Sequence, residues 1–455
     1  MSKQNKIENK SSGRQFIYPK MPSGRLYSYR KWVSYALLLL LFSFPFVKFK
    51  GEQLVLLNFL ERKFVFFGLI FTPQDFYLFA LAMLIGIVSV VCFTVVLGRL
   101  WCGWTCPQTI FMEMVFRRIE YWIEGDAAQQ KKLDQERWHA TKIAKKGTKH
   151  FLFLLISFAI ANTFLAYIIG SDALFSIITE PVSQHISGFL SICIFTLIFY
   201  VVFAYVREVV CTVICPYGRL QGVLLDNQSL VVAYDVNRGE PRGHRKREQQ
   251  DVLTGDCIDC NLCVQVCPTG IDIRKGTQLE CVNCTACIDA CNNVMGKIGK
   301  AENLIGFYNQ DYIADKKPFK ISLKSYGYAA VLALIICVFS SLIYIRESVQ
   351  STVLRASGTL FQTRGDSTSN LYNAELINKT NKDVHFNFRP KDSRCRVEFV
   401  QKSGILPKEG TSHLTFFLWM KNTQIKQYKS EVEFEIVADG KVISKTSTSF
   451  FAQPD

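Results

Sequence analysis

Eight cysteines crowd into the stretch 257–291, in two runs that read Cys257-x2-Cys260-x2-Cys263-x3-Cys267-Pro268 and Cys281-x2-Cys284-x2-Cys287-x3-Cys291. Three thiolates at x2 spacing reach three corners of one iron–sulphur cube from a single short loop, and in paired runs the fourth cysteine of each crosses to the other cluster. The spacing therefore predicts Cys257, Cys260, Cys263 and Cys291 on one 4Fe-4S cluster, and Cys281, Cys284, Cys287 and Cys267 on a second. A pair of structural zinc sites fits poorly, because zinc takes four ligands and does not use a triple x2 run. Thr269-Gly270-Ile271 reads as the turn after the first run. Cys291 is followed by Asn292 where a symmetrical repeat has proline, a change expected to alter loop shape and leave ligation alone.

The rest of the chain must give this segment a compartment and a partner. Of 455 residues, 49% are hydrophobic, and they come in blocks, the mark of a membrane protein. The net charge of +15 arises from Lys and Arg crowded beside those blocks. That is where a positive-inside bias places them, so the basicity reads as topology and no nucleic-acid partner is expected. There are 16 cysteines, and the eight assigned to clusters require a reducing compartment during assembly. The central region is expected to face the cytoplasm.

Residues 1–31 are polar and carry Lys3, Lys6, Lys10, Arg14, Lys20, Arg25, Arg30 and Lys31 against Glu8, a basic cytoplasmic tail. A short apolar run at 32–47 is read as the first transmembrane helix; a signal peptide is disfavoured because no small-residue cleavage site follows Val47. The run 64–71 is too short to span and is expected to be interfacial or re-entrant. Further spans are expected at 76–98, 151–170, 186–206 and 326–345, giving five in all. The loop 99–150 is cytoplasmic by charge, and 109–124 within it reads either as an amphipathic helix on the membrane surface or as an ordinary packing helix. The loop between the third and fourth spans has no Lys or Arg and is expected outside.

The fold class that follows is multi-domain: a polytopic α-helical membrane domain (32–206, with span 326–345), a cytoplasmic two-cluster ferredoxin-like α+β insert at 207–325, and an external all-β domain at 346–455. In that last part Val432, Phe434 and Ile436 alternate with Glu431, Glu433 and Glu435 up to an Asp439-Gly440 turn, a hairpin pattern. Further strands are expected near 371–378, 396–401 and 414–420, a count that suits a β-sandwich. Cys395 is its one cysteine, so no disulfide forms within it. The sequon at 378–380 carries no weight in a chain that reads as bacterial.

A second cysteine set stands beside the second and fourth spans: Arg99-Leu-Trp-Cys102-Gly-Trp-Thr-Cys106-Pro107 and Arg207-Glu-Val-Val-Cys211-Thr-Val-Ile-Cys215-Pro216. Both are C-x3-C-P, and both follow spans running inward, so they are expected at one depth near the cytoplasmic face. Thiols at i and i+4 share a helical face, and the proline biases the second cysteine away from helical geometry. The four thiols are expected to converge, although cysteine also packs simply as a small apolar residue. Soft thiolates select Cu(I), zinc or an iron–sulphur cluster, and near an electron donor they favour reducing Cu(II) by stabilising the product ion. Cys92, Cys193 and Cys337, alone inside spans, read as packing. His139, His150, His185 and His244 are isolated. No C-x-x-C-H haem motif, nucleotide-binding glycine loop or hydrolase nucleophile motif is present.

The segments CGWTCPQT at 102–109, CPYGRLQ at 215–221 and YDVNRGEPRG at 234–243, with the double cluster run and the β-rich tail, resemble the FixG/CcoG family, membrane-bound ferredoxin-like accessory proteins of cbb3-type cytochrome c oxidase assembly. The resemblance implies a cupric reductase of the bacterial inner membrane, passing electrons through two 4Fe-4S clusters to Cu(II). It implies an immunoglobulin-like fold for the tail and makes Cys102, Cys106, Cys211 and Cys215 the candidate copper site. The partners it implies are membrane lipid, a cytoplasmic electron donor, and a copper transporter, chaperone or oxidase assembly subunit. Two other readings stand beside it. One is a subunit similar to the quinol-oxidising membrane ferredoxins of periplasmic nitrate reductase systems, which share C-x3-C-P pairs but lack the β-rich tail. The other is a non-catalytic assembly scaffold.

Overall fold

The computed structural model describes residues 16–49, 51–61, 63–71, 75–243, 255–317, 319–356, 358, 360–401, 404–438 and 440–453. Lys3, Lys6, Glu8, Lys10, Arg14, His244 and Asp439 of the expected turn lie outside the described residues. The chain divides into two compact units, one built from 1–43, 84–165 and 174–334, the other from 44–83, 166–173 and 335–455.

Among the described residues, four helices are long and apolar enough to cross a membrane: Phe76–Leu97, Ala140–Ile169, Ile186–Val206 and Leu323–Ile345. They coincide with four of the five expected spans. The remaining one, expected at 32–47, is not among them. Its residues form the helix Arg25–Ser43, whose apolar part begins only after Lys31 and ends at a 3-10 turn, Phe44–Phe46. From Trp32 to Ser43 the helix rises about 18 Å, and over the whole of Arg25–Ser43 about 28 Å, against a hydrocarbon core of roughly 30 Å. Cys193 and Cys337 are exposed on their apolar helices rather than packed between neighbours.

In the first unit, an aromatic core joins the helical stretch 107–123 to the helices Ala140–Ile169 and Ile186–Val206. Phe116 stacks on Phe203 at 4.4 Å and meets Phe153 edge-on at 4.8 Å, and all three are almost wholly buried. The stretch 107–123 is thus a packing helix, and the surface-lying alternative is not what forms. Beside this core runs a buried ionic network. Arg117 pairs with Glu113 and with Glu208 at 3.2 Å, Arg207 with Glu120 at 2.5 Å, and Lys149 with Glu124 at 2.9 Å. Removing one partner of such a pair leaves a buried charge uncompensated, which typically costs about 3–5 kcal/mol.

The cluster module is a small α+β body. Strands Val231–Tyr234 and Ile305–Tyr308 pair antiparallel and cover a core of Val232, Tyr234, Ile273, Ile288, Met295 and Ile305. The missing second proline has a visible effect: Pro268 ends the short helix Leu262–Gln265, while Cys291 sits inside the helix Ala286–Lys297, which runs on through Asn292.

In the second unit, 64–71 is paired β-structure and not a re-entrant segment. It belongs to a three-stranded antiparallel meander of Val55–Asn58, Lys63–Phe66 and Leu69–Phe71. The carboxyl-terminal part is an immunoglobulin-like β-sandwich. One sheet runs Cys395–Gln401, Thr411–Lys421, Ser367–Asn378, Val349–Arg355, with Gln362–Arg364 also on Ser367–Asn378. The other runs Asn387–Pro390, Lys429–Ala438, Lys441–Phe451. The expected alternation holds: Val432, Phe434 and Ile436 point inward against Phe388 and Phe416, with Phe388 stacked on Phe434 at 4.9 Å. Asn378 of the sequon is buried, its Nδ2 donating to the carbonyls of Lys382 and Pro407 at 2.7 and 3.0 Å, so it is no acceptor for a glycan.

Because Phe434 is fully buried between both sheets, Phe434→Ala is expected to cost about 3–5 kcal/mol in denaturant unfolding of the full chain. Val442→Ala, on a residue 42% exposed, is expected to stay within about 0.5 kcal/mol.

Candidate functional site

The two cysteine runs fold as near copies of each other. Residues two and four after the first cysteine take left-handed backbone in both: Asp259 and Asn261 at φ 55° and 57°, Asn283 and Thr285 at φ 51° and 66°. Such φ values are uncommon outside glycine, and for β-branched Thr285 they carry real strain. Alternating the hand of successive residues turns backbone N–H groups toward one concave side, the arrangement that holds anionic groups and iron–sulphur centres. The soft donor set, the curled loops and the apolar walls therefore fit 4Fe-4S clusters.

Each run encloses a cavity. One is lined by Cys257, Cys260, Cys263 and Cys291, with Tyr234 and Ile305. The other is lined by Cys267, Cys281, Cys284 and Cys287, and also by Cys263. The two differ in exposure. Cys260 of the first is exposed, whereas Cys284 of the second is buried. Burial pushes the thiols up, to about 11 for Cys263 and Cys284 and about 12 for Cys281 and Cys291, so each binds metal only by giving up a proton.

The C-x3-C-P segments are also built alike. The N–H of Cys106 donates to the carbonyl of Trp101 at 3.0 Å, and that of Cys215 to Val210 at 2.7 Å, each closing a loop five residues back. Cys106 (φ −62°, ψ 123°) and Cys215 (φ −70°, ψ 114°) are then extended, and Pro107 and Pro216 open the next helix. The expected i, i+4 face is thus not formed, because the proline pulls the second cysteine off the helix. Cys211 lies in the π-helical turn Val210–Ile214, a wide turn common at functional sites.

These four thiols gather in one region, near enough that each of Cys102 and Cys211 resists ionising in the presence of the others. Burial is the larger cause, raising Cys102 to about 11 and Cys211 to about 12. Gln221, fully buried, donates from Nε2 to the Cys102 sulphur at 3.0 Å. Among the described residues, no three His, Cys, Asp or Glu side chains come close enough to hold a single metal ion.

The two cysteine sets touch. Cys102 packs into a small core with Val266, Val282, Cys284 and Cys287. A Cβ on Gly103 would lie 2.4 Å from the Val282 carbonyl oxygen, so only glycine lets the Cys102–Cys106 segment rest on the Cys281–Cys284 loop. Arg99 donates to the carbonyl of Cys281 at 3.3 Å and to that of Gly218 at 2.9 Å, joining the cluster loop to the turn after Cys215. Arg117 donates to the Pro268 carbonyl at 3.1 Å, and Arg30 from Nε to Gly103 at 2.7 Å. Pro268, Thr269 and Val282 line both the second cluster cavity and a neighbouring one that Cys211 also lines. Sequence reasoning singled out none of Arg99, Gln221, Gly103 or Arg117 as site residues. The arginine ahead of each motif, at 99 and 207, was the available signal. His185 pairs with Glu180 at 2.7 Å, away from any thiol.

Apolar helices of spanning length, two cysteine-lined cavities and a second thiol group packed against one of them define an iron–sulphur electron-transfer protein of the membrane. Residues 206–310 match the family model of a 4Fe-4S dicluster domain, 79–125 that of a 4Fe-4S binding domain, and 339–454 the IG-like fold at the C-terminus of FixG. The chain is 34% identical to protein RdxB of Cereibacter sphaeroides, over 80% of each chain, and 31% identical to RdxA of the same organism, over 81% of each. It is 36% identical to the nitrogen fixation protein FixG of Rhizobium meliloti over 66% of its own length, and spans 59% of FixG. The chain belongs to the FixG family.

Gly103→Ala should force the Val282 carbonyl away and leave the chain with one cluster in place of two, read as iron content and as loss of one cluster signal by electron paramagnetic resonance. Gly296→Ala, where nothing lies within 4 Å, is expected to keep both.

Proposed function

We propose that the chain reduces Cu(II) to Cu(I) at Cys102, Cys106, Cys211 and Cys215, using electrons delivered through the cluster module, in support of copper-site assembly in a cbb3-type oxidase. Two bound 4Fe-4S clusters, held by Cys257, Cys260, Cys263 and Cys291 and by Cys281, Cys284, Cys287 and Cys267, supply one-electron storage. The observation that carries the reading is the packing of Cys102 against Cys284 and Val282, which gives an electron in the buried cavity an adjacent set of soft sulphur ligands. On this reading a cytoplasmic donor delivers its electrons on the side of Cys260, which is exposed. Each Cu(II) takes one electron, and thiolate favours the Cu(I) product. Since the four thiols do not preform a single-ion site, the ion draws them together as it displaces their protons. The protein would reside in the inner membrane, with residues 32–47 completing a fifth crossing, the cluster module in the cytoplasm and residues 346–455 in the periplasm, where a copper chaperone or oxidase subunit would dock.

Purified protein whose clusters are kept reduced by a chemical donor is expected to reduce Cu(II), trapped as a Cu(I)–chelator complex. Replacing Cys102, Cys106, Cys211 and Cys215 by serine should bring the rate down to that of the donor alone while leaving the cluster signals intact. Retained activity would remove those four from the site.

A second reading rests on the match of 79–125, which contains Cys102 and Cys106, to a 4Fe-4S binding domain. On it the four thiols hold a third cluster. Iron analysis separates the two: about eight irons per chain for the copper site, about twelve for a third cluster.

A further inference from the structure

A cavity of about 640 Å³ in the second unit belongs to none of the thiol chemistry. Its volume lies in the range of small-molecule sites, roughly 300–1,000 Å³. One wall is apolar, formed by Phe49, Leu69, Phe71 and Ile343; the other is polar and charged, carrying Glu52, Arg346, Glu347, Lys379 and Lys382.

An ion pair fixes its level in the bilayer. Asp75 stands just before the helix Phe76–Leu97 and Arg346 just after the helix Leu323–Ile345, and they meet at 2.7 Å. Lys379 joins the same carboxylate at 2.6 Å, and Asp75 is 1% exposed. Ends of two apolar helices of spanning length are thereby tied together beside the cavity, which puts it where hydrocarbon gives way to headgroups.

The charges sort into used and unused. Asp75 is shared by Arg346 and Lys379, a triad that keeps one positive charge held against its carboxylate, and Lys63 pairs with Glu52 at 2.9 Å and with Glu409 at 2.5 Å. Lys382 and Glu347 have no ion-pair partner among the described residues; the carboxylate of Glu347 accepts a hydrogen bond from Ser444 Oγ at 2.7 Å. An ammonium and a carboxylate thus line the same cavity as the apolar residues.

We propose that this cavity binds a glycerophospholipid whose zwitterionic headgroup carries a primary ammonium. The phosphate lies on Lys382, the ammonium donates to Glu347, and the acyl chains run along Phe49, Leu69, Phe71 and Ile343. A quaternary ammonium has no N–H to donate, and an anionic headgroup leaves Glu347 unmatched, so both bind less well.

The test is native mass spectrometry of the delipidated full-length protein in detergent, titrated with phosphatidylethanolamine, phosphatidylcholine, phosphatidylglycerol and glycerophosphoethanolamine. Retention of one phosphatidylethanolamine at about tenfold or greater preference over the other two lipids is expected, with about tenfold loss in each of Lys382→Glu and Glu347→Gln. Lys379 and Arg346 are left alone because they hold Asp75, and an unchanged midpoint in denaturant unfolding of the full chain reports that the variants fold. Equal retention of the three lipids, or undiminished retention in both variants, would overturn the proposal. Glycerophosphoethanolamine binding as tightly as the lipid would show a soluble phosphodiester site and overturn it as well.

Discussion

The structure turns on one close backbone contact, the carbonyl of Val282 lying where a side chain on Gly103 would be. A loop that wraps a cluster spends its N–H groups on the concave side and leaves its carbonyls facing outward. Those carbonyls need donors if the loop is to be buried. Here they are supplied by arginines, Arg99 to Cys281 and Arg117 to Pro268, charge-assisted donors of fixed geometry. The guanidinium groups do two things at once: they satisfy the loop, and they bind it to the segments that carry Cys102 and Cys215.

The same contacts set a gradient of exposure across the module. Cys260 lies at the surface, while Cys284 is buried under Val282 and the Cys102 segment. A cluster's potential depends on burial and on hydrogen bonds to its sulphurs, so two sites of identical ligand set are placed in different electrical surroundings. The reading of inward electron flow draws on that asymmetry, and on the thiols stacked beyond the buried end.

Membrane residence and redox chemistry constrain each other in the helices. The aromatic core of Phe116, Phe153 and Phe203 and the buried pairs of Arg117 and Arg207 brace the stretches that present Cys106 and Cys211. Arg30, which by charge alone belongs to a solvated tail, is instead 1% exposed and donates to Gly103, so the amino-terminal helix is part of the support of the site.

Much of this was legible in the chain itself. The cluster ligands announce themselves by x2 spacing, the four apolar helices by uninterrupted hydrophobic length, and the sandwich by alternation at 431–436, because each of these signals is local. The first helix and the run 64–71 were less legible for a related reason: hydrophobic length is ambiguous in short segments, and pairing among neighbouring strands decided the form of the latter. The proline after each second thiol showed that Cys106 and Cys215 leave the helix, but not which residues meet them. Sequence by itself determined the iron–sulphur chemistry and the number of cysteine sets. Only the tertiary structure decided that Arg99, 182 residues from Cys281, ties the sets together and that glycine must stand at 103, since such contacts depend on where helices cross and not on any local pattern.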